Sequence, residues 1–233
     1  MSGSLTVGEE LLMLSYREHT SEQQFRARNL AGSFSVALRA TALIELVIAE
    51  RVSVVTYRRR PSSFPKHFLV GVDTSETGIW AYDKLLAKLS EPRYSKKLLS
   101  WWLAWNITEE DVMRGLLGRG VVSEERQVVG PFARNHVVPI DTELDQQLRQ
   151  RFDDVFLGGG EPNGRDAFMA SLLLYGEVWR GFASLNDKDV RGRLQGRDER
   201  HAGLPWFDSA RFGGQVGAIL GALGAAHHSG SGH

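Results

Sequence analysis

Apolar residues fill nearly every position of one long stretch, from Arg28 to Glu50. Between Leu30 and Ala49 only two residues are charged, Arg39 and Glu45. A helix that is apolar on all sides is buried in a core or a membrane, and about twenty residues would span roughly 30 Å. An arginine at the midpoint is costly in lipid. The pattern therefore predicts the central helix of a soluble helical domain, in which Arg39 needs a carboxylate, a carbonyl or an anionic ligand.

Shorter patterned segments flank this helix. Thr6 and Glu9 have the spacing of a capping box at the start of a short amphipathic helix. Two valine- and phenylalanine-rich runs after residue 50 predict strands, and the turn between them carries a basic tip at Arg58, Arg59 and Arg60. A second hairpin is predicted at VVSEERQVV, which GPFARNHVVPID would extend. Apolar spacing predicts further helices over 79–89, 94–103, 109–118, 143–156, 167–182, 186–196 and 205–223.

The composition is that of an ordinary globular domain, with 42% hydrophobic and 24% charged residues. A chain of 233 residues can bury a large core without disulfides or a structural metal. The absence of cysteine excludes disulfides and thiolate chemistry, and indicates a reducing compartment. The formal net charge of zero argues against a general nucleic-acid binder. No signal peptide is expected, because no basic segment followed by an apolar core opens the chain.

We find no internal repeat and no linker, so residues 1–226 are predicted to form one domain. Residues 227–233, HHSGSGH, are predicted to be a disordered tail. Arginine outnumbers lysine by 22 to 6, which suggests a GC-rich bacterial genome.

Four segments resemble, in the right order, motifs of the Golgi phosphoprotein 3 family, whose members are peripheral membrane proteins that bind phosphatidylinositol 4-phosphate. These segments are LTVGEELLMLSY, LRATALIELVIAERVSV, GLLGRGVVSEERQVV and GRDAFMASLLLYG. The resemblance implies a mainly α, single-domain fold: a central helix bundle ringed by amphipathic helices, with one or two short β-hairpins. It also implies a non-enzymatic protein with no cofactor and no metal.

The resemblance further implies a headgroup site on the central helix. The family's pocket uses an arginine just before the LIEL-like stretch, and Arg39 occupies that position. The family's tryptophan and its two further arginines fall here at Leu30, Asn106 and Glu109. Arg58, Arg59 and Arg60 would add attraction to anionic lipid, worth about 1 kcal/mol per residue near a membrane surface.

The family's hairpin serves membrane contact and self-association, and its counterpart here is Val128 to Pro139. Its apolar residues are therefore candidate membrane or oligomer contacts: Phe132, Val137 and Val138. Simpler structural roles stay open for every candidate. The alternative for the three residues is ordinary packing, that for the arginine run is a solvated face, and that for Arg39 is pairing with Glu9 or Glu10. The cluster of Trp101, Trp102 and Trp105 fits core packing better than a ligand-stacking platform.

Two other functions stay open as alternatives. Asp153 and Asp154, with Asp187 and Asp189, faintly resemble the paired aspartates that hold Mg²⁺ in helical isoprenoid enzymes. A helix followed by a hairpin, from Asp111 to Val138, would suit a winged-helix nucleic-acid module, although acidic residues at the start of that helix oppose phosphate contact.

The sequence thus predicts a cytoplasmic, non-enzymatic protein that associates reversibly with membranes. Its expected partner is anionic membrane lipid, bound through Arg39 and the basic tip. A homo-oligomer formed through the hairpin is the second expected partnership, and no nucleic-acid partner is expected.

Overall fold

The structure is a computed structural model that describes residues 5–15, 31–60, 63–94, 97–105, 107–129, 132–157, 160–161, 163–175, 192 and 209–230. Eight α-helices lie in these ranges: α1 (Val7–Ser15), α2 (Ala31–Ile48), α3 (Trp80–Leu89), α4 (Leu99–Trp105), α5 (Glu109–Gly118), α6 (Thr142–Phe152), α7 (Gly164–Tyr175) and α8 (Ser209–Gly230). Two antiparallel hairpins pair β1 (Val52–Tyr57) with β2 (Lys66–Gly71) and β3 (Val122–Val129) with β4 (Phe132–Pro139). The predicted mainly α fold is confirmed.

Helix α2 is the central helix that the apolar stretch predicts. It contacts α1, α3, α4, α7, α8 and β1. Its inward positions are almost fully enclosed, with Leu43 and Ile44 both 0% exposed. The helix ends in a Schellman motif, in which Glu50 takes a left-handed φ of 58° and Arg51 N–H donates to the carbonyl of Leu46 at 2.9 Å.

Helix α1 is buried on every side, so the prediction of an amphipathic first helix was wrong. Every residue from Val7 to Leu14 is buried. The reason is its position, because α1 contacts α2, α5, α6 and α7 and has no face left for solvent. This burial extends to two acidic residues, Glu9 and Glu10, which are only 2% and 6% exposed. Both carboxylates must therefore find partners inside the protein.

The first hairpin is confirmed where it was predicted, with Val52 opposite Gly71 and Tyr57 opposite Lys66. The second hairpin is longer than predicted. VVSEERQVV does not fold back on itself but supplies one strand, β3, and the following segment supplies β4. Residues 130 and 131 connect the two strands. They are Gly130 and Pro131, a dipeptide typical of turns, and they lie outside the described residues.

Three further predictions differ from the structure or lie outside it. The predicted helix over 143–156 is present as α6, but its last turn is a π-helix, Asp153–Leu157. The final helix is described from Ser209 and runs through Gly230, so residues 227–230 are helical, while its predicted start at 205–208 lies outside the described residues. The division of the chain at residue 227 stays a prediction. The polar helix predicted over 186–196 lies outside the described residues, apart from position 192.

Gly120 is a position where the fold requires a glycine. It follows α5 with a φ of 67°, and its N–H donates to the carbonyl of Leu117 at 3.0 Å in a second Schellman motif. A Cβ built at Gly120 meets no atom within 4 Å, so only the backbone conformation opposes a side chain. We expect Gly120→Ala to lower the free energy of unfolding by about 1 kcal/mol in urea titrations.

Gly118 provides the matched control for Gly120. It is the last residue of α5, and a Cβ there also meets nothing within 4 Å. Gly118→Ala is expected to stabilise the protein by about 0.5 kcal/mol, because alanine is the better helix former. If the two substitutions changed stability in the same direction, the conformational explanation for Gly120 would be wrong.

Candidate functional site

Arg39 is held by backbone carbonyls at the end of α4. Its Nε donates to the carbonyl of Ile107 at 2.6 Å, and its Nη1 donates to the carbonyl of Leu103 at 2.9 Å. The last carbonyls of a helix lack intrahelical partners and carry partial negative charge, so a cation is favourable there. Burial lowers the pKa of Arg39. The alternative that paired Arg39 with Glu9 or Glu10 was wrong, because carbonyls take that place.

An acidic residue, Glu109, contacts α2 one turn before Arg39. Ser35, one turn before Arg39 on α2, hydrogen-bonds the side chain of Glu109, and burial raises the pKa of that carboxyl. Glu109 is the position where the family resemblance would place an arginine. A carboxylate there competes with an anionic ligand unless it is protonated. Leu30 and Asn106, the other two positions of the implied pocket, lie outside the described residues.

The basic tip of the first hairpin is exposed. Arg58, Arg59 and Arg60 all face solvent, and Lys66 at the start of β2 does too. No acidic residue occurs between Arg51 and Val72. Ser63 closes the turn, because its Oγ accepts from Arg60 N–H at 3.0 Å and donates to the carbonyl of Arg60 at 2.7 Å. The tip therefore presents four cations without a neighbouring acid in sequence.

Sequence reasoning missed an aromatic residue among these cations. The side chain of Phe64 is 94% exposed, and Tyr57 at the end of β1 is 57% exposed. The signal was available, since Phe64 stands in a loop of serines and prolines where no apolar period could carry it into the core.

The structure does not join Arg39 and the basic tip into one cluster. β2 reaches the body of the protein where Phe68 forms a β-bridge with Leu98, just before α4 begins. Arg39 contacts the opposite end of α4, at Leu103 and Ile107. The two groups share no hydrogen-bond partner among the described residues. They are two separate candidate sites.

The second hairpin is described by its backbone. Phe132, Val137 and Val138 lie on β4 and pair with Val129, Glu124 and Ser123. Strands of eight residues extend roughly 26 Å at about 3.3 Å per residue. The hairpin contacts the helical body through β3 and α5. The side chains of these three candidates lie outside the description, so their role stays a prediction.

Thr6, Glu9 and Glu45 belong to the segments that resemble the family. They form a buried hydrogen-bond network and not a ligand site. Glu9 N–H donates to Thr6 Oγ1 at 3.1 Å, and Glu9 Oε2 accepts from Thr6 N–H at 2.8 Å, which confirms the capping box. Glu9 also pairs with Arg119. Glu45, from the LIEL segment, accepts from Val7 N–H at 3.1 Å and from the Tyr82 hydroxyl.

Burial is the main cause that raises the pKa of Glu45 to about 7. The whole residue is only partly buried by its accessible surface, yet both carboxyl oxygens are engaged. Because its pKa is about 7, the carboxyl is close to half protonated near neutral pH. Sequence reasoning noted Glu45 only as a charge in an apolar helix.

The same construction occurs at two other helix starts. Asp111 completes a capping box with Thr108 and pairs with Lys84 Nζ at 2.6 Å. Asp166 exchanges hydrogen bonds with Asn163 and pairs with Arg151 Nε at 3.1 Å. In each case a buried acid in the first turn caps its helix and binds a cation from another element.

The alternative sites gain no support from the described residues. Asp153 and Asp154 lie in the π-helical turn, and Asp187 and Asp189 fall outside the description. No group of three or more His, Asp or Glu side chains in the described ranges is arranged to hold a metal ion. Helix α5, the helix of the winged-helix alternative, packs on α1 and α3 and carries acidic residues in its first turn.

Among the helices that the structure describes, none has both the length and the apolar character needed to cross a bilayer.

A comparison with models of protein families identifies the family of this chain. The family described as Golgi phosphoprotein 3 (GPP34) matches residues 7–206, which is most of the chain. The match includes α1, the central helix and both hairpins. No curated protein matches the chain.

Proposed function

The chain belongs to the Golgi phosphoprotein 3 family, and from that premise we propose that it is a non-enzymatic peripheral membrane protein that binds anionic phospholipid headgroups. The basic tip of the first hairpin is the main contact in this proposal. Arg39 is a second, separate contact, and the second hairpin, with Phe132, Val137 and Val138, provides self-association or further membrane contact.

The single observation that supports this most strongly is the acid-free, exposed tip. Arg58, Arg59, Arg60 and Lys66 bring four positive charges to an exposed turn, although the whole chain has no formal net charge. Anionic lipids produce a negative potential that falls off within about 8 Å at physiological salt. Four cations on one turn can enter that range together, and residues 51–72 include no acid that would offset them.

Arg39 bears on the choice of lipid. Its Nε and Nη1 donate to carbonyls, and its Nη2 makes no hydrogen bond with any residue that the structure describes. That group is the part of the guanidinium left for a headgroup phosphate. Recognition of phosphatidylinositol 4-phosphate depends in this proposal on Arg39, whereas attraction to any anionic membrane depends on the tip.

The test of the tip is co-sedimentation with vesicles of phosphatidylcholine alone or with added phosphatidylserine. We expect binding to the anionic vesicles only. The double substitution Arg58→Gln with Arg59→Gln should weaken binding roughly 30-fold, since each cation near the surface is worth about 1 kcal/mol. Arg93→Gln with Arg114→Gln is the matched control, because both arginines are exposed elsewhere and the change in net charge is the same.

Failure of the unmodified protein to bind any anionic vesicle would overturn the proposed function. Equal losses in the two double variants would overturn the assignment to the tip. A third set of vesicles, with phosphatidylinositol 4-phosphate at matched surface charge, tests Arg39. Arg39→Lys keeps the charge but cannot reach both carbonyls, and it should weaken binding to this set alone.

A further inference from the structure

One face of the first hairpin is apolar and exposed. Side chains alternate along a strand, and the register places Val55 and Tyr57 on the same face as Phe68 and Val70. Val55 is 48% exposed, Tyr57 57% and Val70 41%. The opposite face, which includes Val52, Val54 and Leu69, is 2%, 8% and 0% exposed and forms part of the core.

This face continues into the tip. Phe64 follows it in the connecting turn with 94% of its surface exposed. Lys66 pairs with Tyr57 and so lies on the exposed face, and Arg58 to Arg60 directly follow β1 and are exposed too. The exposed side of this hairpin therefore combines apolar side chains with cations, and its residues 51–72 include no acid.

The charge of this surface indicates what covers it. A second copy of the chain is disfavoured, because a two-fold contact would bring together two identical faces that carry cations and no compensating acid from residues 51–72. Aromatic rings bordered by arginine and lysine are typical of surfaces that enter the boundary between lipid headgroups and acyl chains. An anionic bilayer satisfies the cations and the apolar face together.

We propose that the first hairpin lies on the bilayer through this face, with Phe64 inserted below the headgroups. The inference rests on the proposed membrane function and adds to it a mode of contact. The arginines attract the protein to the surface, and the phenylalanine provides the contact that salt does not screen. Val55, Tyr57 and Val70 then lie at the headgroup level.

The chain has no cysteine, so one introduced cysteine can be labelled without any other change. We would place an environment-sensitive nitrobenzoxadiazole label at Phe64→Cys and, as a control, at Gln146→Cys on the exposed side of α6. With vesicles of phosphatidylcholine and phosphatidylserine, the label at 64 should shift to the blue. It should also be quenched by lipids that carry a spin label on the acyl chain. The label at 146 should do neither.

Affinity provides a second readout. Phe64→Ser should weaken binding to the same vesicles about tenfold and abolish the binding that persists at high salt, whereas Phe64→Leu should retain most of it. Ile140→Ser is the control, because Ile140 is also exposed, at 57%, and lies outside the first hairpin. The Arg58→Gln and Arg59→Gln variant should instead lose the salt-sensitive part.

The outcomes separate the two proposals. If the unmodified protein binds anionic vesicles while the label at 64 stays unshifted and Phe64→Ser binds normally, insertion is overturned and headgroup attraction stands. If the unmodified protein binds no vesicle, the proposed function itself fails. If Phe64→Ser changes the oligomeric state in sedimentation velocity without lipid, the face is a contact between copies and the proposal is wrong.

Discussion

Glu9→Ala is expected to lower the free energy of unfolding by about 2–3 kcal/mol, because it leaves a buried backbone N–H without its acceptor and removes a charge-assisted contact. The substitution leaves Arg119 without its carboxylate and Thr6 without half of its capping box. Glu9 is 2% exposed, so water cannot take over its contact with Thr6 N–H, whereas the Arg119 side chain is 27% exposed and can turn to solvent. In a chain of this size the melting temperature should fall by roughly 10 °C, measured by circular dichroism.

Two comparisons separate the causes. Glu9→Gln keeps an oxygen for Thr6 N–H but removes the charge that Arg119 needs, so its loss should be smaller than that of Glu9→Ala. Glu110→Ala is the comparison for an exposed ion pair, because Glu110 is 83% exposed and its Oε1 lies 3.6 Å from Arg114 Nη2. An exposed pair contributes at most about 1 kcal/mol. A Glu9→Ala variant as stable as Glu110→Ala would show that the network does not hold α1 in place.

Glu45 is expected to make the protein less stable as the pH rises from about 4.5 to about 7. Its pKa is raised from 4.5 to about 7 in the folded protein, so the folded state binds the proton more tightly than the unfolded state. Stability is then highest while Glu45 is protonated in both states and falls until the folded pKa is passed. The difference corresponds to at most about 3 kcal/mol, at about 1.4 kcal/mol per pH unit.

Glu45→Gln should remove this dependence. Glutamine is the neutral isostere, its oxygen can accept from Val7 N–H, and its amide can donate to the Tyr82 oxygen. We expect the variant to be more stable than the unmodified protein at pH 8 and similar at pH 4.5, in urea titrations at both values. Glu143→Gln on the exposed face of α6 is the control and should follow the unmodified protein. Parallel profiles for Glu45→Gln and the unmodified protein would contradict the raised pKa.

Three residues, Thr6, Glu9 and Glu45, explain why the sequence identifies the family but not the ligand of this chain. Thr6 and Glu9 in the first motif and Glu45 in the LIEL segment hold α1, α2 and α3 together through hydrogen bonds. Their spacing is set by helix starts that any member with this fold must build. Glu109 is not part of this network, because its side chain hydrogen-bonds Ser35 instead. Glu109 can therefore stand where the family resemblance places an arginine without disturbing the fold.

Local patterns predicted those elements whose cause is local. The Thr6–Glu9 and Thr108 caps, the central helix and the first hairpin follow from spacing within a few residues. The partners of Arg39 could not be predicted, because every residue carries a carbonyl and nothing in a sequence marks Leu103 and Ile107. The burial of α1 was missed for a related reason, since its polar residues are satisfied by cations far along the chain.

The distance of those cations has a consequence for how the chain is made. Arg151 reaches Glu10 across 141 residues, and Arg165 reaches the carbonyl of Leu5 across 160 residues. At roughly 5–20 residues per second, a ribosome needs on the order of 10–30 s to add the second arginine after the first helix. During that interval α1 can pack on α2 and α5, but Glu10 lacks both of its arginines. The contacts of α1 with α6 and α7 therefore close only late in synthesis.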